Sequence, residues 1–125
     1  MDMTEIDRVE RILQSTARAR FLTRVLTEGE RDYLLTRSGN AAEFVAGRFA
    51  AKEALAKALG TGFGKDLGFH DLEVLPDAAG RPAGRIAASV LAKLGLTPHA
   101  VHVHVSITHT RSTAGAFAVI EQERA

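Results

Sequence analysis

The sequence predicts an α+β fold, an antiparallel sheet packed on a long central helix, with smaller helices toward the N-terminal end. Residues Asn40 to Gly62 read as one helix marked at both ends. The stretches His102 to His109 and Ala114 to Glu121 alternate apolar with polar and are joined by Thr110 to Thr113, which predicts a hairpin. The segment before Asn40 is divided by cap signals into short amphipathic pieces.

Taken in order, Thr4 to Gln14 reads as a first helix, with Ile6, Val9, Ile12 and Leu13 as its buried stripe and Arg8 and Arg11 at its polar edge. Ser15 and Thr16 interrupt it. Ala17 to Leu26 is a second short helix that turns Phe21, Leu22 and Val25 inward and Arg20 and Arg24 outward. Thr27 with Glu30 forms a capping box for a helix through Leu35. In the long helix, Asn40 is the N-cap, Glu43 completes a capping-box pattern and Gly60 is the stop. Phe44, Ala51, Leu55, Ala58 and Leu59 make its apolar stripe. Phe63 to Gly68 is a glycine-rich loop. Asp71 to Leu75 and Arg81 to Arg85 are partner strands about the turn Pro76 to Gly80, and Pro82 requires an edge or bulge position. Ile86 to Leu94 is a short helix that ends at Gly95.

Composition bounds the function. The chain has 125 residues, 46% hydrophobic and 25% charged, as expected of one globular domain. It has no cysteine, which excludes disulfides and thiolate chemistry. No apolar run reaches the roughly 18 residues of a membrane span and no signal peptide is evident, so a cytoplasmic location is expected. The net charge of +1 gives no bulk attraction for nucleic acid. Its distribution is uneven: Arg8, Arg11, Arg18, Arg20 and Arg24 crowd one segment, which predicts one acidic partner.

Chemistry concentrates on the long helix. Phe49, Glu53 and Lys57 recur in one row, and Arg48 and Lys52 pair beside it. A carboxylate flanked by Arg48, Lys52 and Lys57, then the turn Gly60-Thr61-Gly62, suits a hard cation bound with a polyphosphate. On pattern alone, a solvated helix face with one Glu-Lys pair explains the same residues. The turn follows a helix rather than a strand, so neither a Rossmann turn nor a P-loop fits. On the first hairpin strand, His102, His104, Ser106 and Thr108 share one face, and Val103, Val105 and Ile107 the other. The histidines suit the wetter face of a sheet, and a zinc site at His102 and His104 is a rival without a third ligand in the pattern.

GRFAAKEALAKALGTG, from Gly47 to Gly62, resembles the central motif of the holo-[acyl-carrier-protein] synthases, small 4'-phosphopantetheinyl transferases. That motif runs (W/F)-x-x-K-E-(A/S), then a lysine and a Gly-Thr-Gly turn. Asp2-Met-Thr-Glu-Ile-Asp-Arg8 and Val103-His-Val-Ser-Ile-Thr-His109 also resemble that family, in the right order and over nearly the whole chain. In the family the aspartate ends an opening strand, Gly-(Ile/Val)-Gly-x-Asp. This chain starts almost at Asp2, so most of that strand is expected to be missing and Asp2 to be loosely held.

The resemblance implies one 4'-phosphopantetheinyl transferase domain over residues 1–125. It implies Mg²⁺ on Asp2 and Glu53, with Asp2, Glu53 and Lys57 catalytic. Coenzyme A supplies the pyrophosphate, the serine hydroxyl of apo-acyl carrier protein attacks the β-phosphate, and 3',5'-ADP leaves. Either Glu53 or a metal-bound water takes the proton. The coenzyme A site is implied to hold Arg48, Lys52, Lys57, Gly60, Thr61, Gly62, Pro82, Ser106, Thr108 and His109, with His109 and Arg48 toward a 3'-phosphate. The arginines from Arg8 to Arg24 are implied to dock the carrier, and the assembly is implied to be a homotrimer with sites between subunits. A non-catalytic coenzyme A or carrier-binding module of the same fold is the alternative, supported by the shortened opening strand. A metal-dependent nucleotide phosphohydrolase using the same carboxylates is a further one.

Overall fold

The long helix organises everything else. In the computed structural model, which describes residues 1–123, it is Ala41–Leu59. Asn40 caps it by accepting from the Glu43 N–H (3.2 Å), and Gly60 ends it in the left-handed conformation at φ 79°, which glycine adopts without penalty. The Glu43 side chain does not return the bond; its carboxylate instead lies 4.0 Å from His109 Nε2. The helix is buried over most of its circumference, because its many alanines let other elements approach closely.

In chain order the elements are β1 (Asp2–Glu5), α1 (Ile6–Leu13), α2 (Arg18–Val25), α3 (Glu28–Thr36) and α4 (Ala41–Leu59). Then come β2 (Leu72–Pro76), β3 (Pro82–Ile86), α5 (Ala88–Lys93), β4 (Val101–His109) and β5 (Thr113–Gln122). One antiparallel sheet has the order β1-β5-β4, and β2 with β3 forms a second. The N-terminal half of α4 packs with α1 and α2 through Ile6, Val9, Val25 and Val45. Its C-terminal half packs with β2, α5 and the larger sheet through Leu55, Leu72, Val90 and Ala116. Val103, Val105 and Ile107 turn toward this core, while His102, His104, Ser106 and Thr108 are exposed, as the alternation requires.

Several expectations need correction. Thr4 and Glu5 are strand, not helix: β1 pairs Asp2 with Ala116 and Glu5 with Thr113. β1 runs from Asp2 to Glu5, so Asp2 is tied into the sheet and not loosely held. Ile86 pairs with Leu72 as the end of β3, so α5 starts later than its apolar pattern suggested. Ala58 is exposed, not part of the stripe. Pro82 sits at the first position of β3 opposite Pro76, where no ladder donor is needed. The capping box of Thr27 and Glu30 is complete, in keeping with the sequence.

The two sheets meet at Gly84. A Cβ there would lie 3.0 Å from both Val103 Cγ1 and Val105 Cγ2. Both methyls belong to β-branched side chains with little rotamer freedom. Gly84→Ala is therefore expected to cost about 1–3 kcal/mol by overpacking. Denaturant unfolding measures it, and wild-type stability would mean that the sheets can move apart freely.

Candidate active site

The row Phe49, Glu53 and Lys57 runs along α4 beneath the start of β1. Lys57 Nζ donates to Asp2 Oδ1 at 2.8 Å and to the Met1 carbonyl at 3.2 Å. This bond and the Asp2 charge raise the Lys57 pKa. Glu53 is partly buried and has no hydrogen bond or ion pair among the described residues. Burial, and then the neighbouring Asp2 charge, push its carboxyl above the ordinary glutamate value, with Lys57 opposing. Two carboxylates, one without a partner, thus stand together beside one cation. Among the described residues no group of three or more His, Asp or Glu side chains could hold a metal ion.

A cavity of about 230 Å³ opens on the Phe49 side of this cluster. Phe21, Phe49, Val9 and Ile12 supply its apolar wall, and Thr4, Glu5 and Arg8 its polar one. Phe49 stands in a row of rings, 6.4 Å from Phe21 and 5.7 Å from Phe69. Its position follows from the i, i+4 spacing to Glu53.

Arg48 serves a different place. Five residues from Glu53, it projects roughly 140° around the helix. Its Nε donates to the Val74 carbonyl at 3.1 Å, and its guanidinium lies 4.3 Å from the centre of the Phe44 ring. Burial lowers its pKa, offset in part by the Glu30 charge. With Tyr33, Arg37, Pro82 and Ile107 it lines a second cleft of about 230 Å³. Arg48 and Pro82 are thus brought together, apart from Glu53. His109 stands near the N-terminal turn of α4, close to Glu43, and Ser106 and Thr108 lie on the outer sheet face.

Lys52 is not available to phosphate. It is fully buried, and its ammonium donates to Glu30 Oε1 (2.6 Å), the Val25 carbonyl (2.7 Å) and the Phe69 carbonyl (3.1 Å). The amides of Gly60, Thr61 and Gly62 are also spent: they donate to the last carbonyls of α4, those of Lys57 and Ala56. Through these amides the turn closes the helix, while the buried Thr61 hydroxyl has no hydrogen-bond partner among the described residues. His102 and His104 each meet one glutamate at 2.7 Å, Glu123 and Glu121, and among the described residues no third ligand joins them in a group that could hold zinc. Of the five arginines, all exposed, Arg8 also lines the cavity against Phe49.

The model of the 4'-phosphopantetheinyl transferase superfamily matches residues 1–118. The chain belongs to this superfamily. As a transferase of this group it is 48% identical over 128 residues to the holo-[acyl-carrier-protein] synthase of Solidesulfovibrio magneticus, covering 97% of this chain and 94% of that one. It is 46% identical to the Bacillus velezensis synthase, covering 98% and 93%. The crystal structure of the Bacillus anthracis synthase in complex with CoA (3',5'-ADP) is similar at a TM-score of 0.80 and 40% identity, covering 98% and 93%. That of the Helicobacter pylori synthase in complex with coenzyme A is similar at 0.82 and 27%, covering 96% of each chain. Among the described residues no helix of this transferase is long and apolar enough to cross a membrane.

Proposed function

We propose that the chain is a cytoplasmic holo-[acyl-carrier-protein] synthase acting in fatty-acid biosynthesis. It moves 4'-phosphopantetheine from coenzyme A to a serine of apo-acyl carrier protein and releases 3',5'-ADP. The observation that carries this reading is the unpartnered Glu53 carboxylate beside Asp2, with Lys57 bound to Asp2. The donor set fits Mg²⁺, which takes one or two carboxylates and completes its shell with substrate phosphate oxygens and water. Asp2 and Glu53 would hold the ion, and a cation there would relieve the mutual repulsion of the two carboxylates. When bound, Mg²⁺ neutralises charge on the pyrophosphate as the phosphoanhydride breaks.

The chain's own groups do the rest. Lys57 orients Asp2 and adds positive charge where the leaving phosphate gains negative charge. Burial raises the proton affinity of Glu53. Because a carboxylate that holds the ion is not also a free base, the serine proton goes either to Glu53 or to a water at the site. Arg48 sits over Phe44 with a fork side suited to a nucleotide phosphate. Because Arg48 projects away from Glu53, one coenzyme A reaches both most simply when Arg48, Pro82 and His109 come from a neighbouring copy. This favours the homotrimer, with Met3, Phe117 and Val119 as the large exposed apolar side chains that such an assembly would cover.

Mass spectrometry of an apo-acyl carrier protein after incubation with this chain and coenzyme A, with and without Mg²⁺, tests the reading. A phosphopantetheine-sized gain that requires the metal is expected. No gain with coenzyme A still bound would support the non-catalytic module, and 3',5'-ADP released without carrier the phosphohydrolase. The exposed arginines give a further expectation. Arg20→Glu with Arg24→Glu should weaken carrier binding about tenfold at low salt and leave the KM for coenzyme A near wild type, because rim charges act through encounter with the partner. An equal loss of both would remove α2 from the docking surface.

A further inference from the structure

A groove of about 520 Å³ runs between α2 and α3, away from the carboxylate cluster. Leu22 and Leu34 line it. Leu35 is 85% exposed, the most exposed large apolar side chain among the described residues. Three arginines surround these leucines, and each is tethered by one nitrogen. Arg18 Nη1 donates to the Leu13 carbonyl at 3.2 Å. Arg37 Nη1 donates to the Asn40 carbonyl at 3.1 Å, with its guanidinium 5.0 Å from the centre of Phe44. Arg31 Nη1 donates to the Leu26 and Thr23 carbonyls at the end of α2. Among the described residues none of the three is ion-paired. Asp32, exposed, is the acid lining the groove.

We propose that this groove is a second docking surface for the carrier protein and takes an acidic, amphipathic helix of it. The proposal rests on the function proposed above. Leucines flanked by cations fit a helix that offers an apolar stripe with carboxylates along its edges. A small anion would use the arginines and leave the leucines in water, so the leucines point to a protein helix. The tethers matter energetically. An arginine already held by a backbone carbonyl loses less side-chain freedom when its fork meets a carboxylate. Arg18 joins the groove to the arginine series on α1 and α2, so one carrier can engage both surfaces. Arg37 also lines the Arg48 cleft, which sets the groove beside the proposed nucleotide site.

The test uses two exposed positions outside the catalytic cluster. Leu35→Asp should raise the Kd for apo-acyl carrier protein roughly tenfold, the loss of one central apolar contact plus a repulsive charge. Asp32→Asn should lower that Kd about twofold at low salt, because it removes the carboxylate that opposes an acidic partner. A gain of affinity cannot arise from misfolding. Both variants should keep the wild-type KM for coenzyme A. Calorimetric titration of wild type and variants with the apo carrier, with steady-state kinetics and solution molar mass, reads all of this. Wild-type modification of the carrier with unchanged Kd in both variants would overturn the groove and leave the proposed function standing. A change of molar mass in Leu35→Asp would make the groove a contact between copies and overturn it as well. No carrier modification by the wild type would remove both.

Discussion

Lys52→Ala is expected to destabilise the protein by about 3–5 kcal/mol, the range for breaking a buried pair by removing one partner. Lys52 and Glu30 are both fully buried, 2.6 Å apart. Glu30 Oε1 also accepts from the Thr27 N–H at 2.8 Å, and Oε2 from the Val74 N–H at 2.7 Å. Lys52 in turn satisfies the Val25 and Phe69 carbonyls. This pair therefore joins the end of α2, the start of α3, the loop before β2 and β2 itself to the middle of α4. Burial lowers the Lys52 pKa, and the Glu30 charge and hydrogen bond oppose that shift. Removing the ammonium leaves Glu30 charged in the core without its paired cation and takes the donor from the Val25 carbonyl, while the Phe69 carbonyl keeps the Leu72 N–H. The helix preference of alanine returns only a few tenths of a kcal/mol. The double variant Lys52→Met with Glu30→Gln should recover a large part of the loss, since no unpaired charge remains. Urea unfolding measures all three. A loss below about 1 kcal/mol for Lys52→Ala would put the pair in the class of solvated surface bridges.

That pair also shows where the sequence stopped being legible. Periodicity located α4 and its caps because Asn40, Gly60 and the apolar spacing act locally. The same local view read Lys52 as a phosphate ligand, since a lysine beside a glutamate on a helix looks alike whether it is wet or buried. Its partner Glu30 lies 22 residues away, and only the packing of α3 on α4 and β2 joins them. Thr4 and Glu5 were misread for a related reason. Their strand character comes from pairing with Ala114 and Thr113 near the other end of the chain, not from their own pattern. By contrast, the row Phe49, Glu53 and Lys57 was legible, because one helix carries all three residues. Asp2 became a partner of Lys57 through the motif resemblance and the strand that fixes it, and no local spacing could have joined them. The groove between α2 and α3 left no signal beyond an arginine excess, since Arg18, Arg31 and Arg37 lie on three separate segments.

Glu53→Ala is expected to lower transfer at least roughly 10²–10³-fold, the scale for removing one main electrostatic contributor at a reacting phosphate. The fold should survive, because alanine is the better helix former and Glu53 makes no hydrogen bond that the helix needs. The folded-state pKa of Glu53 lies above its unfolded value. Its protonation therefore stabilises the fold below the ordinary glutamate pKa, and that stabilisation is lost as pH rises through the folded value. At neutral pH the charged pair Asp2 and Glu53 is a source of strain that a divalent cation relieves. Wild-type Tm should accordingly rise with Mg²⁺, since a ligand bound only by the folded state stabilises it. Glu53→Gln keeps the shape and removes the charge. It should show a higher metal-free Tm at pH 7 than wild type, little response to Mg²⁺, and the same loss of transfer as Glu53→Ala. Loss of transfer with an undiminished Mg²⁺ response would move the ion away from Glu53 and leave this side chain as the proton acceptor alone. Near-normal transfer in Glu53→Ala would remove it from the chemistry altogether.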